Sequence, residues 1–299
     1  MNKQDYLNDT HVKPFLVWMG QQLQASSRRG HGYARPGAAP LEFANLGAAF
    51  ECYDWGFSFQ RLDGRRCAGR SFAENAAVLD DLQQRLRHAI AAKDDAAACE
   101  AAVEVMRWGG VAPHNEAWLR ANQDTLAGCL ARVGAALALD DDAADLGPGL
   151  RFNAGMTKVY SLLLDYFVIY DSRVAGALAW FVAAWAAEQG AQRIPDALRF
   201  PCMPAKEDAK AARRKLRNPW AGKAGFPTLG SRPYTHAKWN LRASWIVRAL
   251  LEADPGTMFG AGAAASRKLE AALFMWGYDL TTPAREMPSS TCECQLRAK

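Results

Sequence analysis

The chain has 299 residues, of which 50% are hydrophobic and 22% charged, an ordinary balance for a globular protein. Its formal net charge of +5 is only mildly basic and by itself selects no class of partner. The sequence has no run of about 18 uncharged apolar residues and no apolar core in MNKQDYLNDT, so we expect neither a membrane span nor a leader peptide.

Cysteines and histidines are dispersed along the chain. The seven cysteines form no CxxC pair, and the five histidines show no HxH or HxxxH spacing. Structural zinc sites and four-cysteine iron–sulfur clusters need such spacings, so we expect no metal and no cofactor. Scattered cysteines without a pairing pattern are typical of a reducing compartment, so we expect a cytoplasmic protein.

The first predicted elements differ sharply in character. Residues 1–70 are dense in Gly, Pro and aromatic residues, which predicts an irregular segment that packs on the rest of the chain. Residues 71–145 are rich in alanine and carry apolar residues at helical spacing, which predicts helices. Asn115 is the expected N-cap of one of them, over NEAWLRANQDTLAGCLARVGAAL.

Two apolar segments follow, and both predict helices. MTKVYSLLL predicts a short helix, and SRVAGALAWFVAAWAAEQG predicts a buried core helix that ends at Gly190. DYFVIYD between them is either a short strand or an extended link. After a long polar connection, the last two helices are predicted at about 238–253 and 264–276.

Positive charge is concentrated between residues 206 and 248. Eleven basic residues face only two acidic ones there: Lys206, Lys210, Arg213, Arg214, Lys215, Arg217, Lys223, Arg232, Lys238, Arg242 and Arg248. One interpretation is a solvated loop. The other is a surface that contacts phosphates, because tryptophans interleave with these residues and aromatic rings can stack on unpaired bases.

Lys158 and Asp171 stand out in the apolar stretch NAGMTKVYSLLLDYFVIYDSRVAGAL. Desolvation lowers the pKa of a lysine and can make its amine a nucleophile, whereas Asp171 is placed to cap the next helix. The short helix is ~10 Å long and a six-residue link extends ~20 Å, so the chain can fold back and bring both side chains to one mouth. The alternative is a lysine that reaches the surface and an ordinary cap.

This stretch resembles the active-site segment of helix-hairpin-helix DNA glycosylases, those of the 8-oxoguanine type in particular. In that family a hairpin leads into a lysine that attacks the sugar, and an aspartate follows that caps the next helix. Lys158 of MTKV takes the place of the nucleophile, and Asp171 of IYDSRV that of the catalytic aspartate. Arg173 stands where the family has a histidine. The resemblance covers about residues 145–185.

The resemblance implies a mainly α, two-lobed glycosylase fold with a helix-hairpin-helix-like active-site segment, formed by residues 71–299 with 1–70 packed on it. It implies that a base is extracted from double-stranded DNA and that its N-glycosidic bond is cleaved. Lys158 would act as nucleophile and Asp171 as catalytic carboxylate, and strand nicking by β-elimination (AP-lyase activity) is left open. We expect a monomer without membrane contact, associated with the nucleoid when bound to DNA.

Further candidates for the site follow from residue type. Aromatic residues and a glycine are candidates for the base pocket, each with core packing as the alternative: Trp108, Gly109, Phe274, Trp276 and Tyr278. Basic and polar residues, with the glycine before the lysine, are candidates for DNA contact: Gly155, Thr157, Arg173, Arg213, Arg214, Lys215, Arg217, Lys238, Asn240 and Arg242.

Several alternatives stay open at this level. The excised base is either an oxidised purine, in base excision repair, or a modified base of invading phage DNA. A second function class is a non-catalytic DNA-binding protein that uses the basic 206–248 region. A third is a structural helical protein without a nucleic-acid partner.

Overall fold

The computed structural model describes residues 1–35, 37–205, 214–281 and 285–286. In chain order their elements are α1 (Lys3–Leu7), α2 (Val12–Gln22), β1 (Arg29–Arg35), β2 (Ala38–Phe43), α3 (Leu46–Glu51), β3 (Phe57–Gln60), β4 (Arg66–Gly69), α4 (Phe72–Ala91), α5 (Asp95–Trp108), α6 (Ala112–Ala121), α7 (Leu126–Leu137), α8 (Met156–Leu163), α9 (Ser172–Glu188), α10 (Pro233–Ala253), α11 (Gly262–Trp276) and β5 (Arg285–Glu286).

The chain forms two compact units, each assembled from separate stretches. The first unit comprises Met1–Lys3, Asp54–Ile169 and Ser231–Arg242. The second unit comprises Gln4–Tyr53, Tyr170–Gly230 and Ala243–Lys299. The division falls inside the predicted active-site segment, so α8 belongs to the first unit and α9 to the second.

The class predicted from the sequence is confirmed, because the described residues are mainly helical and their sheets are small. The finer assignment to a glycosylase fold stays a prediction. Among the described residues, no helix combines the length and the apolarity needed to cross a bilayer.

The first unit is built around α5. This helix is buried along most of its length and contacts α4, α6, α7 and α8. Small side chains allow the close approach, since Ala89 of α4, Ala98 of α5 and Ala127 of α7 form one packed cluster. Glu104 is also buried on α5, and Arg85 pairs with its carboxylate at 2.7 Å. Helix α8 packs against α4 and α5, which places its first turn beside the end of α5.

The second unit has an aromatic core between α9 and α11. Trp276 is fully buried there, and its ring centroid lies 5.1 Å from that of Trp180, 5.0 Å from that of Phe181 and 5.3 Å from that of His31. Strand β1 pairs with both β2 and β5. Trp276 was a candidate for the base pocket, and that prediction is wrong because its ring has no exposed surface.

The prediction of an irregular segment over residues 1–70 is also wrong. Helices α1, α2 and α3 and strands β1 to β4 lie within it. Strand β1 reads RGHGYAR and pairs antiparallel with β2, from His31 opposite Phe43 to Arg35 opposite Ala38. Glycine has a low strand propensity, but strand pairing and packing on the core decide such segments more strongly than propensity does.

Other local predictions have mixed outcomes. The core helix α9 is confirmed, and Gly190 follows it with a φ of +64°. The stretch DYFVIYD forms no strand: it begins with a turn at Asp165 and Tyr166, where Tyr166 has a φ of +62°, and continues as an irregular link. The predicted cap at Asn115 is wrong, because α6 begins at Ala112 with Pro113 in its first turn, and Asn115 lies inside the helix.

The N-terminus of α4 is a capping box. The Glu74 carboxylate accepts hydrogen bonds from the backbone N–H groups of Arg70 and Ser71, at 2.9 and 2.8 Å, and the Ser71 hydroxyl accepts from the Glu74 N–H. The bond from Arg70, followed by the Ser71 hydroxyl, lowers the pKa of Glu74 from 4.5 to about 2. A carboxyl with a lowered pKa in the folded protein stabilises it above pH 4.5 and loses that contribution as the pH falls towards 2.

Glu74→Gln is therefore expected to lower the free energy of unfolding at neutral pH, because glutamine keeps the geometry of the box and loses the charge. The deficit relative to the wild type should shrink as the pH falls through the window from 4.5 to 2. Denaturant unfolding of both proteins at stepped pH values measures this. A deficit of constant size across the acidic range would contradict it.

Candidate active site

Asn153 organises the turn that leads into α8. Its side-chain oxygen accepts hydrogen bonds from the backbone N–H groups of Gly155 and Met156, at 2.8 and 2.9 Å. Its amide donates to the side-chain oxygen of Asn115 at 2.9 Å, which ties the turn to α6. The first N–H groups of a helix have no partner within it, so these bonds fix where α8 begins. They also place Lys158 in its first turn.

Lys158 is buried, with 6% of its surface exposed. Its ammonium donates a hydrogen bond to the carbonyl oxygen of Ala154 at 2.8 Å. Its stem crosses Gly109 at the end of α5, where an added Cβ would lie 2.5 Å from the Lys158 Cδ and 2.7 Å from its Cε. Gly109 therefore provides the room for the lysine stem. The side chain is fixed between two backbone segments and does not extend to the surface as an ordinary lysine does.

Trp108 lies in the interior of the first unit. It is 5% exposed, and its indole N–H donates to the side-chain oxygen of Asn75 at 2.9 Å. The amide of Asn75 donates in turn to the carbonyl oxygens of Trp55 and Arg70. The prediction of Trp108 as a base-pocket residue is wrong, because this network commits its ring and its N–H to the core. Asn75 was missed, although a lone asparagine in the alanine-rich α4 was a visible signal.

Three predicted DNA contacts are internal instead. Thr157 and Asn240 are fully buried, and the Thr157 hydroxyl donates to the Asn240 side chain. The Asn240 amide donates to the carbonyl oxygen of Val168 at 2.8 Å. The N–H of Gly155 is bonded to Asn153. Direct DNA contact by Gly155, Thr157 and Asn240 is therefore wrong, and these residues hold α8, the link and the start of α10 together.

Two basic residues of α10 face Asp142. Arg242 is 7% exposed and pairs with the Asp142 carboxylate through Nη2 at 2.5 Å and Nε at 2.6 Å. The Lys238 ammonium lies 3.8 Å from the same carboxylate, with 42% of its side chain exposed. DNA contact by Arg242 is wrong, because its charge is buried and neutralised. For Lys238, which reaches the surface, it stays a prediction.

Asp171 caps α9 in the second unit, as predicted. Its Oδ1 accepts hydrogen bonds from the backbone N–H groups of Arg173 and Val174, at 2.9 and 3.1 Å. Both bonds go to one oxygen, so the cap itself does not use Oδ2. The side chain is half-buried. A carboxylate oriented in this way is rigid and still has an oxygen for chemistry.

Arg173 begins a group of cationic and aromatic side chains in the second unit. Its guanidinium lies 4.0 Å from the ring centroid of Phe274 and 4.9 Å from that of Tyr278. The ammonium of Lys215 lies 4.5 Å from the Tyr278 centroid, and the guanidinium of Arg217 lies 5.8 Å from it. The structure thus brings together five predicted site residues from three segments of the second unit.

The remaining basic residues at the start of the 206–248 stretch include one that the structure describes and three that it does not. Arg214 is exposed, as expected for a DNA contact. Lys206, Lys210 and Arg213 lie outside the described residues. The described basic residues of the stretch are shared between the two units, so the single basic surface expected from the sequence is not established.

No family model, curated protein or solved structure matches this chain. The likeness to helix-hairpin-helix glycosylases therefore rests on the segment around Lys158 and Asp171 and on the environment of these two residues. Lys158 lies in the first unit and Asp171 in the second. Their meeting at one mouth stays a prediction. Chemically, the first unit offers a desolvated amine at a helix N-terminus, and the second a fixed carboxylate beside cations and half-buried rings.

The contact of Gly109 with Lys158 gives a test of how the lysine is held. Gly109 has a φ of −77°, which alanine also adopts, so the largest effect of Gly109→Ala is the overlap with the lysine stem, beside a tighter contact of 3.3 Å with the Val105 carbonyl oxygen. We expect a loss of about 1–3 kcal/mol in the free energy of unfolding, as for other overpacked sites. In a Lys158→Ala background, Gly109→Ala should lower the free energy of unfolding much less, because the lysine stem is absent. Denaturant unfolding of the four proteins measures this coupling.

Gly128→Ala is the matched control, since nothing lies within 4 Å of a Cβ there and the residue is in the first turn of α7. It should be neutral or stabilising by up to about 1 kcal/mol in either background. Equal costs of Gly109→Ala with and without Lys158 would show that the stem does not occupy this space.

Proposed function

We propose that this protein is a DNA glycosylase that excises a damaged or modified base, with Lys158 as nucleophile and Asp171 as catalytic carboxylate. The observation that supports this best is the position of Lys158, buried in the first turn of α8 with its stem against Gly109. The side chain is largely excluded from water and is held by the Gly109 contact and by the bond to the Ala154 carbonyl oxygen. A lysine held in this way has the fixed position that a nucleophile requires.

In the proposed reaction the target nucleotide first leaves the base stack, at a cost of a few kcal/mol. The Lys158 Nζ then attacks C1′, the glycosidic C–N bond breaks, and the base departs with the bonding electron pair and takes up a proton. Loss of the second amine proton and opening of the sugar ring give an imine between Nζ and C1′. Water hydrolyses this imine to release an abasic sugar, or β-elimination at C2′ breaks the strand first.

Asp171 is proposed to act on the positive charge of the sugar. As the base leaves, oxocarbenium character develops at C1′, and a fixed carboxylate stabilises it or accepts the proton of the attacking amine. The cap supports this role because both of its hydrogen bonds are made by Oδ1. Phe274 and Tyr278 are half-buried, and their ring centroids lie 4.0 and 4.9 Å from the Arg173 guanidinium, so we keep them as the proposed aromatic residues of the base pocket.

Release of free base is the direct test. The protein is incubated with duplex DNA that carries oxidised purines, and separately with phage DNA that carries modified pyrimidines. Mass spectrometry then identifies any base set free. Borohydride added in parallel reduces an imine to a stable secondary amine, so a covalent protein–DNA adduct should form on the same substrate. Release from one substrate class also decides between repair and action on phage DNA.

The opposite result is equally definite. Salt-sensitive duplex binding without base release or adduct would contradict the glycosylase and support a non-catalytic DNA-binding protein. Absence of duplex binding at low salt would contradict both.

A further inference from the structure

Among the described residues of the second unit, one buried cation has donors that form no hydrogen bond. Arg217 is 6% exposed, and its Nε and Nη1 find no acceptor among the described residues. Burial and, after it, the positive charge of Arg173 lower the pKa of Arg217 to about 10. Buried guanidinium groups normally have every N–H bonded, because an unpaired buried charge is costly. Arg217 therefore has donors that a ligand could satisfy.

Charge around Arg217 is unbalanced towards the positive. Arg173, Lys215 and Arg217 surround the ring of Tyr278 at 4.9, 4.5 and 5.8 Å. Asp171 and Asp279 oppose them, and each alone affects the pKa of Arg217 less than the positive charge of Arg173 does. The Asp279 carboxylate already accepts hydrogen bonds from the N–H of Leu216 and the hydroxyl of Thr281, at 3.0 and 2.6 Å. Three cations therefore lie close together, and the two nearby carboxylates, Asp171 and Asp279, already accept other hydrogen bonds.

The backbone is built to hold these cations together. An added Cβ on Gly176 of α9 would lie 2.9 Å from the carbonyl oxygen of Arg217, so glycine lets the segment that carries Arg217 approach the helix. That segment is further fixed by the bond from the Leu280 N–H to the Leu216 carbonyl oxygen at 3.0 Å. Lys215 and Tyr278 are only half-buried, so the group opens to solvent on one side.

We propose that Arg173, Lys215 and Arg217 form an anion site on the second unit that takes a phosphate group. A tetrahedral phosphoryl group presents several acceptor oxygens and negative charge, which matches the free donors of Arg217 and the surplus of cations. Identification of this phosphate as one of the DNA strand rests on the proposed function. Anion binding at this site does not depend on the proposed function, so either proposal can be contradicted without the other.

Isothermal titration with inorganic phosphate at low ionic strength tests the site. The wild type should bind, and Lys215→Gln and Arg217→Met should each weaken binding by about tenfold or more, the usual effect of losing a charge-assisted hydrogen bond. Arg193→Gln is the matched control, because Arg193 is an exposed arginine of the same unit that pairs with Asp196. It should leave phosphate affinity unchanged. The titration measures no base release, which separates its outcome from that of the glycosylase test.

Thermal unfolding without ligand gives a second readout. Arg217→Met should raise the melting temperature of the ligand-free protein, because it removes an unpaired buried charge and keeps the volume. Absence of phosphate binding by the wild type, or equal affinities in all variants, would overturn the proposal. So would a marked loss of stability in Arg217→Met, since it would reveal a structural partner of the guanidinium.

Competition experiments distinguish a terminal phosphate of a nucleotide from a phosphodiester of the DNA backbone as the group that binds the site. A deoxynucleoside 5′-monophosphate that displaces inorganic phosphate, where an unphosphorylated duplex does not, assigns the site to a terminal phosphate. Displacement by the unphosphorylated duplex assigns it to a backbone diester. Displacement by neither compound would overturn the assignment to a nucleotide phosphate.

Discussion

Lys158→Met is expected to abolish the borohydride-trapped adduct and the release of base, while the protein stays folded. Methionine fills nearly the same space against Gly109 and removes the amine together with its bond to Ala154. Because methionine keeps the volume that packs on Gly109, we expect the variant to stay folded. Gel analysis of trapped complexes and denaturant unfolding measure the two effects separately.

The control for this variant is Lys223→Met, which makes the same chemical change at an exposed lysine. It should form the adduct at the wild-type rate. Survival of the adduct in Lys158→Met would show that another amine of the chain reacts with the sugar, and the proposed nucleophile would be wrong. A variant that binds the duplex but forms no adduct would place the defect in chemistry and not in DNA binding.

Local features of the site were predictable from the sequence. The cap at Asp171 follows from one residue before an apolar helix, and the burial of Lys158 follows from the apolar run around it. Both depend on residues within a few positions, where pattern and propensity carry most of the information. The mainly helical class was predictable for the same reason.

Features that join distant segments were not predictable. Gly109 receives the stem of Lys158 because α8 packs on α5, and no local pattern specifies that contact. The basic stretch predicts a DNA contact at Arg242, but the Asp142 carboxylate pairs with this arginine in the structure. A formal charge in a sequence does not reveal its partner, and a partner decides whether the charge is available to a ligand.

Asp171→Asn is expected to lower the rate of base release by about 10²–10⁴-fold, because it removes the charge that would stabilise the developing oxocarbenium ion. Asparagine and aspartate are comparable N-caps, so the bonds to Arg173 and Val174 can persist. The free energy of unfolding should therefore stay close to that of the wild type. Single-turnover base release and denaturant unfolding of the same preparation measure both quantities.

Asp171→Ala completes this comparison, because it removes the cap together with the charge. It should cost about 1 kcal/mol of stability, yet be no less active than Asp171→Asn. Full activity of Asp171→Asn would mean that the residue is only a helix cap, and its catalytic role would be wrong. The variant also probes the cations beside it: loss of a carboxylate that opposes Arg173 and Arg217 should strengthen phosphate binding. Slower base release together with tighter phosphate binding would then separate the chemical role of Asp171 from its place in the charge balance of the second unit.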